Sequence, residues 1–270
     1  MSSLTALLAA APGGRALVID HDAYATAVLR QGSEIPWGDL AALTGHVAQV
    51  QALLDPDAVF VNAEAFYDAY LAATPDLVSA LGKRSRTGYA LRTLLGDEPA
   101  VERLVLTMRT LADSTRRRVV LSVPSPARWL LRAHDRAGTG LDEVSEDHAD
   151  SASMYLAEWL GRLGSPPLGL LLLDARARRG DSATLEFPER AGGYTSLTNV
   201  AGHFDWTLAV RFASSVDVAG DVTRAVVLPD AFWHGEGEAP RDGARLVLTT
   251  IPADAPPETV LLRRALLKEG

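Results

Sequence analysis

The chain contains no cysteine. Disulfides, thiolate nucleophiles, iron–sulfur clusters and zinc sites built on Cys are therefore excluded. The redox compartment stays open, because a chain without thiols reports nothing about it. Lysine is nearly absent too: only Lys83 and Lys268 occur among 26 basic residues. Neither lies in an apolar run that would desolvate it, so a Schiff-base mechanism, which needs a buried neutral amine, is disfavoured. Long apolar runs are missing. The longest, near 119–123 and 168–173, fall far short of the roughly 20 residues that span a bilayer. Residues 1–11 are apolar but lack a basic n-region, so they read as a helix packed on the domain rather than a secretory signal. A cytoplasmic location is the expectation. Short repeats and low-complexity linkers are also lacking, which disfavours solenoids and propellers. Residues 1–270 read as a single domain.

What is present is ordinary for a folded soluble protein: 47% hydrophobic and 22% charged residues in 270. The net charge of −8 argues against general nucleic-acid binding, which needs a basic face to displace counterions from phosphates. A small-molecule substrate is the expected partner, with no nucleic acid and no membrane. A homodimer is allowed.

Seven short apolar runs, each without alternation, read as strands buried on both faces, as in parallel sheets. They are 16–19, 58–61, 119–123, 168–173, 194–200, 225–228 and 246–250. Helical spacing marks 40–54, 65–73, 101–115, 149–163 and 258–267, and 204–213 reads as a further helix. Alternating strands and helices predict an α/β fold with a parallel sheet. The length suits a (β/α)8 TIM-type barrel, incomplete or irregular because one strand is short of eight. An eighth strand is sought around 88–95. A doubly wound open sheet is the alternative.

Almost every apolar run ends in a polar side chain. Parallel strands open their C-terminal ends on one face, where barrel enzymes keep their sites. Asp20, His21, Asp22, Asn62, Glu64, Ser125, Asp174, Asn199, His203 and Asp230 would then ring one mouth. Turns are polar in any fold, which accounts for part of this. His21 lies between two acids that would raise its pKa, as a base or metal ligand or as a hydrogen-bonded loop residue. His203, followed by Trp206, suits general acid–base work. His234 sits in an aromatic loop that reads as a lid or a surface turn. His46 reads as structural, His134 and His148 as solvated, and Trp129 and Trp159 as core. Arg116, Arg117 and Arg118 read as a solvated face. No phosphate loop, Rossmann glycine fingerprint, nucleophile elbow, His-Glu-x-x-His or EF-hand pattern occurs.

Several segments resemble the barrel superfamily of uroporphyrinogen decarboxylase and the C-terminal domain of cobalamin-independent methionine synthase. Residues 57–68 resemble the synthase's second-strand segment running into a Gly-Glu pair, with Ala63 for the Gly and Glu64 matching the Glu. Residues 123–127 resemble the Gly-Pro strand end of both families. Residues 152–174 resemble their next helix–strand unit, of whose Asp-Glu-Pro only Asp174 carries over. Residues 246–264 resemble the closing unit. The synthase's zinc ligands include cysteines that this chain lacks, and 195–199 stand where its His-x-Cys strand would be. The decarboxylase's arginine-rich N-terminal segment is missing as well.

The resemblance implies the scaffold and its pocket, not the substrates of those families. The leading expectation is a decarboxylase-like lyase acting by acid–base chemistry on a small carboxylated molecule, without a cofactor. Asp20 or Asp22 would position or protonate the reacting carbon, with His21 and His203 as acid–base partners. Arg128 would pair with the substrate carboxylate, and Asn62 and Asn199 would orient it. Glu64, Asp174 and Asp230 would polarise the histidines; Ser125, Trp206 and His234 would complete the pocket. A second expectation adds a divalent metal on His21, Asp22, His203 and Asp230, for hydrolysis or C1 transfer. A third is a non-catalytic binding or partner subunit, marked by a mouth closed with internal salt bridges.

Overall fold

In a computed structural model describing residues 1–178, 180–185, 187–220, 223–240 and 243–269, six of the seven apolar runs become strands, all but the half-buried run at 225–228 covered on both faces. The chain opens with α1 (Ser3–Ala10), β1 (Ala16–Asp20), α2 (Asp22–Tyr24), α3 (Leu40–Leu54), β2 (Val59–Asn62) and α4 (Ala63–Ala72). Then come α5 (Pro75–Leu81), α6 (Tyr89–Leu95), α7 (Glu98–Thr115), β3 (Val119–Pro124), α8 (Pro126–Arg136), α9 (Glu146–Arg162) and β4 (Leu168–Asp174). It closes with α10 (Thr195–His203), β5 (Leu208–Arg211), β6 (Val216–Val218), β7 (Ala225–Val227), β8 (Leu246–Thr250) and α11 (Pro257–Glu269).

The strands form two sheets. One has the order β1-β8-β7 and is parallel; the other, β2-β3-β4-β5-β6, is parallel except for the β5–β6 pair. Asp57 ties the sheets at one seam. Its amide donates to the Leu17 carbonyl and its carboxylate accepts from the Leu17 amide, both at 2.8 Å.

Side chains alternate along the strands. Val18, Phe60, Val120, Leu170, Leu172, Ala209, Leu246 and Leu248 meet in one buried cluster between the sheets. Leu4, Leu7 and Leu8 of α1 join that cluster at the end where the strands begin. Gly169 is what lets α1 come so close, since a Cβ there would stand 3.2 Å from the Leu7 Cβ. The opposite faces, including Val61, Leu121, Leu171 and Val210, pack against the helices. Trp129 and Trp159 are core, edge-to-face at 5.3 Å, and the Trp159 Nε1 donates to the Tyr67 hydroxyl at 2.8 Å.

Three elements differ from the sequence expectation. Residues 194–200, β-branched and strand-like, lie in and just before α10. The buried positions are Tyr194, Leu197 and Ala201, a helical spacing. Residues 204–213 hold β5 rather than a helix, because Leu208, Ala209 and Val210 are buried on both faces. The sought strand at 88–95 is helix α6. The eighth strand is instead β6, which pairs antiparallel with β5.

His134 also departs from expectation. It is fully buried: its Nε2 accepts from the Gly88 amide at 3.0 Å, and its Nδ1 lies 2.9 Å from Thr139 Oγ1. Gly88 enters α6 at φ +85°, and a Cβ there would meet the Tyr155 ring at 2.9 Å. Gly88→Ala is therefore expected to cost at least about 1–2 kcal/mol from the left-handed backbone alone, read as a lowered urea midpoint.

Candidate functional site

The C-terminal ends of the strands carry charge, and most of it is neutralised internally. At the centre, Arg176 donates from Nε to Asp174 Oδ1 at 2.8 Å and from Nη2 to Asp20 Oδ2 at 3.0 Å. Its Nη1 reaches Thr250 Oγ1 at 2.9 Å. The Thr250 hydroxyl also takes a bond from Arg211 and gives one to Asp20, at 2.8 and 3.2 Å. Burial works to raise the Asp174 pKa, but the hydrogen bonds and charge of Arg176 hold it below the usual carboxylate range. Burial and the neighbouring Arg176 lower the pKa of Arg211. Asp20 is thus bound into an ion-pair network and is not free to act on a substrate.

A second network lies beside it. Glu64, buried in the first turn of α4, accepts from Arg132 at 3.0 Å and Arg136 at 2.9 Å and ion-pairs with Arg178 at 2.6 Å. Asp181 binds Arg128 and Arg132, both at 3.2 Å. Arg128, expected to hold a substrate carboxylate, is buried and committed to Asp181 and the Ala175 carbonyl. Glu64 and Asp174 were expected to polarise histidines; both pair with arginine instead.

Asp22 is different. It starts α2 at the end of β1, its side chain 18% exposed. Burial raises its pKa, the charge of Asp20 raises it further, and Asn62 and Arg178 pull it back only partly. The result is pushed up to about 7. Asn62 Nδ2 donates to Asp22 Oδ2 at 3.1 Å, while its Oδ1 caps α4 by accepting from the Ala65 amide. The cap thereby orients the amide toward Asp22. After α2 the chain widens into a π-turn at Ala25–Leu29, a distortion frequent at functional sites. Asp22 and Asn62 line an open cavity of about 690 Å³ with Ile35, Trp37, Glu34, Asp68 and several alanines.

His21 corrects the sequence reading. Burial outweighs Asp20, and its pKa is lowered to about 4 rather than raised. Its Nδ1 stands 3.6 Å from Asp22 Oδ1, too long for a hydrogen bond. His46 on α3 packs 6.3 Å from the His21 ring, and burial lowers its pKa too. The two imidazoles form a neutral wall behind Asp22.

Ser125 is fully buried and donates to Glu189 Oε2 at 2.8 Å, while the Tyr194 hydroxyl donates to Oε1 at 2.5 Å. Burial raises the Glu189 pKa and these bonds partly restore it. Glu189 and Tyr194 also line a cavity of about 460 Å³ with Glu146, Asp147 and Asp150. Tyr194→Phe removes a donor to a buried carboxylate and is expected to cost about 1.5–3 kcal/mol, measured by urea unfolding.

The remaining expected residues do not join Asp22. Asn199 and His203 lie on α10, and His203 and Trp206 lie where β5 begins. That is the α1 end: the Asp205 carbonyl accepts from the Ser3 amide, and the Thr207 amide donates to Ser3 Oγ. A helix between parallel strands runs back to the sheet's opposite edge, so its last turn leaves the mouth. Asp230 and His234 do follow β7 on the mouth side. His234 pairs there with exposed Asp254 at 3.5 Å. The proposed metal set His21, Asp22, His203 and Asp230 is split by the place of His203. Among the described residues no group of three or more His, Asp or Glu side chains converges as metal ligands, and no helix is long and apolar enough to cross a membrane.

Arg132, Arg136, Arg176, Arg178, Asp181, Arg211 and Glu189 escaped the sequence reading. One signal was available. Arg128, Arg132 and Arg136 repeat every four residues, which stacks three guanidinium groups along one face of a helix. No family model, curated protein or solved structure matches this chain.

Proposed function

We propose that the chain is a small-molecule enzyme on an irregular (β/α)8-type barrel of the uroporphyrinogen decarboxylase and methionine synthase kind. It would perform acid–base chemistry on a carboxylated substrate, as in decarboxylation. The barrel reading is supported by the single inward cluster, by α1 at one end of it, and by β6 standing beside β7 at the second seam. The chemistry rests on one observation. Asp22, whose pKa is pushed up to about 7, faces an open apolar cavity at the end of β1. A group that titrates near the working pH both holds and releases a proton readily. In a decarboxylation the bond to the carboxylate breaks, CO2 leaves, and the electron pair left on carbon takes the Asp22 proton. Water then restores it. Asn62 fixes the carboxyl, and the neutral His21 leaves its proton in place.

The test is a panel of small carboxylic acids incubated in D2O with wild type and Asp22→Asn. CO2 release with deuterium on the carbon that lost it, present only in wild type, supports the reading. Neither product from any acid, or equal product from both proteins, rejects it.

A second reading is favoured by the central network of Asp20, Asp174, Arg176, Arg211 and Thr250, which closes the mouth with internal ion pairs. It makes the chain a binding or partner subunit that retains the scaffold without turnover. The same panel separates the two.

A further inference from the structure

The segment that leads into α6 is basic in an acidic chain. Residues 77–96 carry Lys83, Arg84, Arg86 and Arg92 and no acid, within a net charge of −8. Arg84, Arg86 and Arg92 line one open cavity of about 290 Å³. Thr87, Thr93, Tyr89 and Tyr155 complete its wall, which contains no carboxylate. At the ends of the strands, by contrast, Arg128, Arg132, Arg136 and Arg176 all pair with Asp or Glu. The three cavity arginines make no ion pair and no side-chain hydrogen bond among the described residues. The four hydroxyls beside them make no hydrogen bond there either.

The frame of this cavity is fixed by buried structure. The Gly88 amide donates to Nε2 of the buried His134 at 3.0 Å. Tyr155, carried by α9, lies so close over Gly88 that a Cβ there would stand 2.9 Å from its ring. The Arg84 guanidinium carbon lies 5.4 Å from the centre of the Tyr89 ring, a contact that positions the cation and leaves its N–H groups for an oxygen ligand.

Unpaired guanidinium groups around one cavity repel one another, and a ligand with several anionic oxygens removes that repulsion. A phosphate monoester brings about −1.5 to −2 charges and three strong acceptors at pH 7. A carboxylate brings one charge and two oxygens. The hydroxyls supply neutral donors. The volume stands at the lower end for ligand sites, which start at roughly 300 Å³, and so suits a small molecule rather than a chain.

We propose that the cavity between α6, its leading loop and α9 binds a small phosphate monoester, held by Arg84, Arg86 and Arg92. It shares no lining residue with the Asp22 cavity, so it stands independently of the acid–base reading.

Calorimetry on the full chain in phosphate-free buffer tests it, with phenyl phosphate, benzoate and a uridine oligonucleotide as probes. Phenyl phosphate is expected to bind about tenfold more tightly than benzoate. Arg86→Gln and Arg92→Gln should each weaken it about tenfold, the usual worth of one charge-assisted hydrogen bond. Both residues are exposed, so each variant should keep the wild-type urea midpoint. Arg109→Gln, at an exposed position of α7 outside the cavity, removes the same charge and should leave the affinity within about twofold, because a distant exposed charge is screened. Absence of phenyl phosphate binding at millimolar concentration overturns the proposal, and so does an equal loss in Arg109→Gln. An oligonucleotide that binds more tightly than phenyl phosphate also overturns it, and would mark the patch as a surface for a polyanionic chain.

Discussion

Replacing Asp22 with asparagine is expected to slow turnover about 10²–10⁴-fold, the usual contribution of a positioned proton donor, while making the fold more stable at pH 8. The second effect follows from linkage. The Asp22 pKa is about 7 in the fold against 3.8 for the unperturbed group. Between those values the folded state holds a proton that the unfolded chain has released, so stability falls as pH rises through that window. Three pH units correspond to about 4 kcal/mol. Asparagine carries no charge to bury, so the variant should match wild type near pH 4 and exceed it by about 2–4 kcal/mol at pH 8. His21 works in the opposite direction. Its folded pKa of about 4 lies below its ordinary 6.5, so its share of stability is complete above pH 6.5 and is lost as pH falls toward 4. The neighbours nearly cancel in wild type. In Asp22→Asn only the histidine loss remains, and its urea midpoint should fall steeply between pH 6.5 and 4. Equal midpoints for the two proteins at pH 8 would show that the fold does not raise the Asp22 pKa.

Glu64→Gln is expected to be the most destabilising single change at this end of the molecule, by about 3–5 kcal/mol. The carboxylate is 2% exposed and neutralises Arg132, Arg136 and Arg178. Glutamine has nearly the same shape, so the loss reports charge rather than packing. Arg132, 6% exposed in its side chain, has no route to solvent and would keep Asp181 as its one charged partner among the described residues. Arg136 and Arg178 are 24% and 45% exposed and can turn outward. A Glu64→Leu, Arg132→Met double variant should therefore recover most of the loss, since replacing a whole buried pair by apolar groups is often close to neutral. Urea unfolding of the singles and the double forms a thermodynamic cycle. Glu64→Gln within 1 kcal/mol of wild type would mean that water reaches the network and screens it.

The same network separates what a linear reading recovers from what it misses. Six of the seven apolar runs became strands, short unbroken runs bounded by turn residues suiting the inner strands of a parallel sheet. Residues 194–200 and 204–213 were exchanged in type. Their β-branched or aromatic residues carry no decisive period, and packing between β4 and β5 decided each. β6 has intermediate and exposed side chains, so no apolar signal marked it.

Within the site, Asp22 and Asn62 were legible as polar residues at strand ends. Their pairing was not, because 40 residues separate them. Asp20 and Asp22 look equivalent in the chain. Asp20 points to the centre, where Arg176 and Arg211 meet it, and Asp22 faces the cavity with no arginine or lysine ion-paired to it among the described residues.

The sequence by itself determined the absence of thiol chemistry, the α/β alternation and the collection of polar side chains at strand ends. Each follows from composition or from local periodicity. Only the tertiary structure decided that His203 and Trp206 lie at the opposite end, that Arg128 is occupied, and that burial pushes the Asp22 pKa up to about 7. Those outcomes depend on which charges meet across 40 to 156 residues of chain and on how much water each one loses, and neither is written in any local pattern.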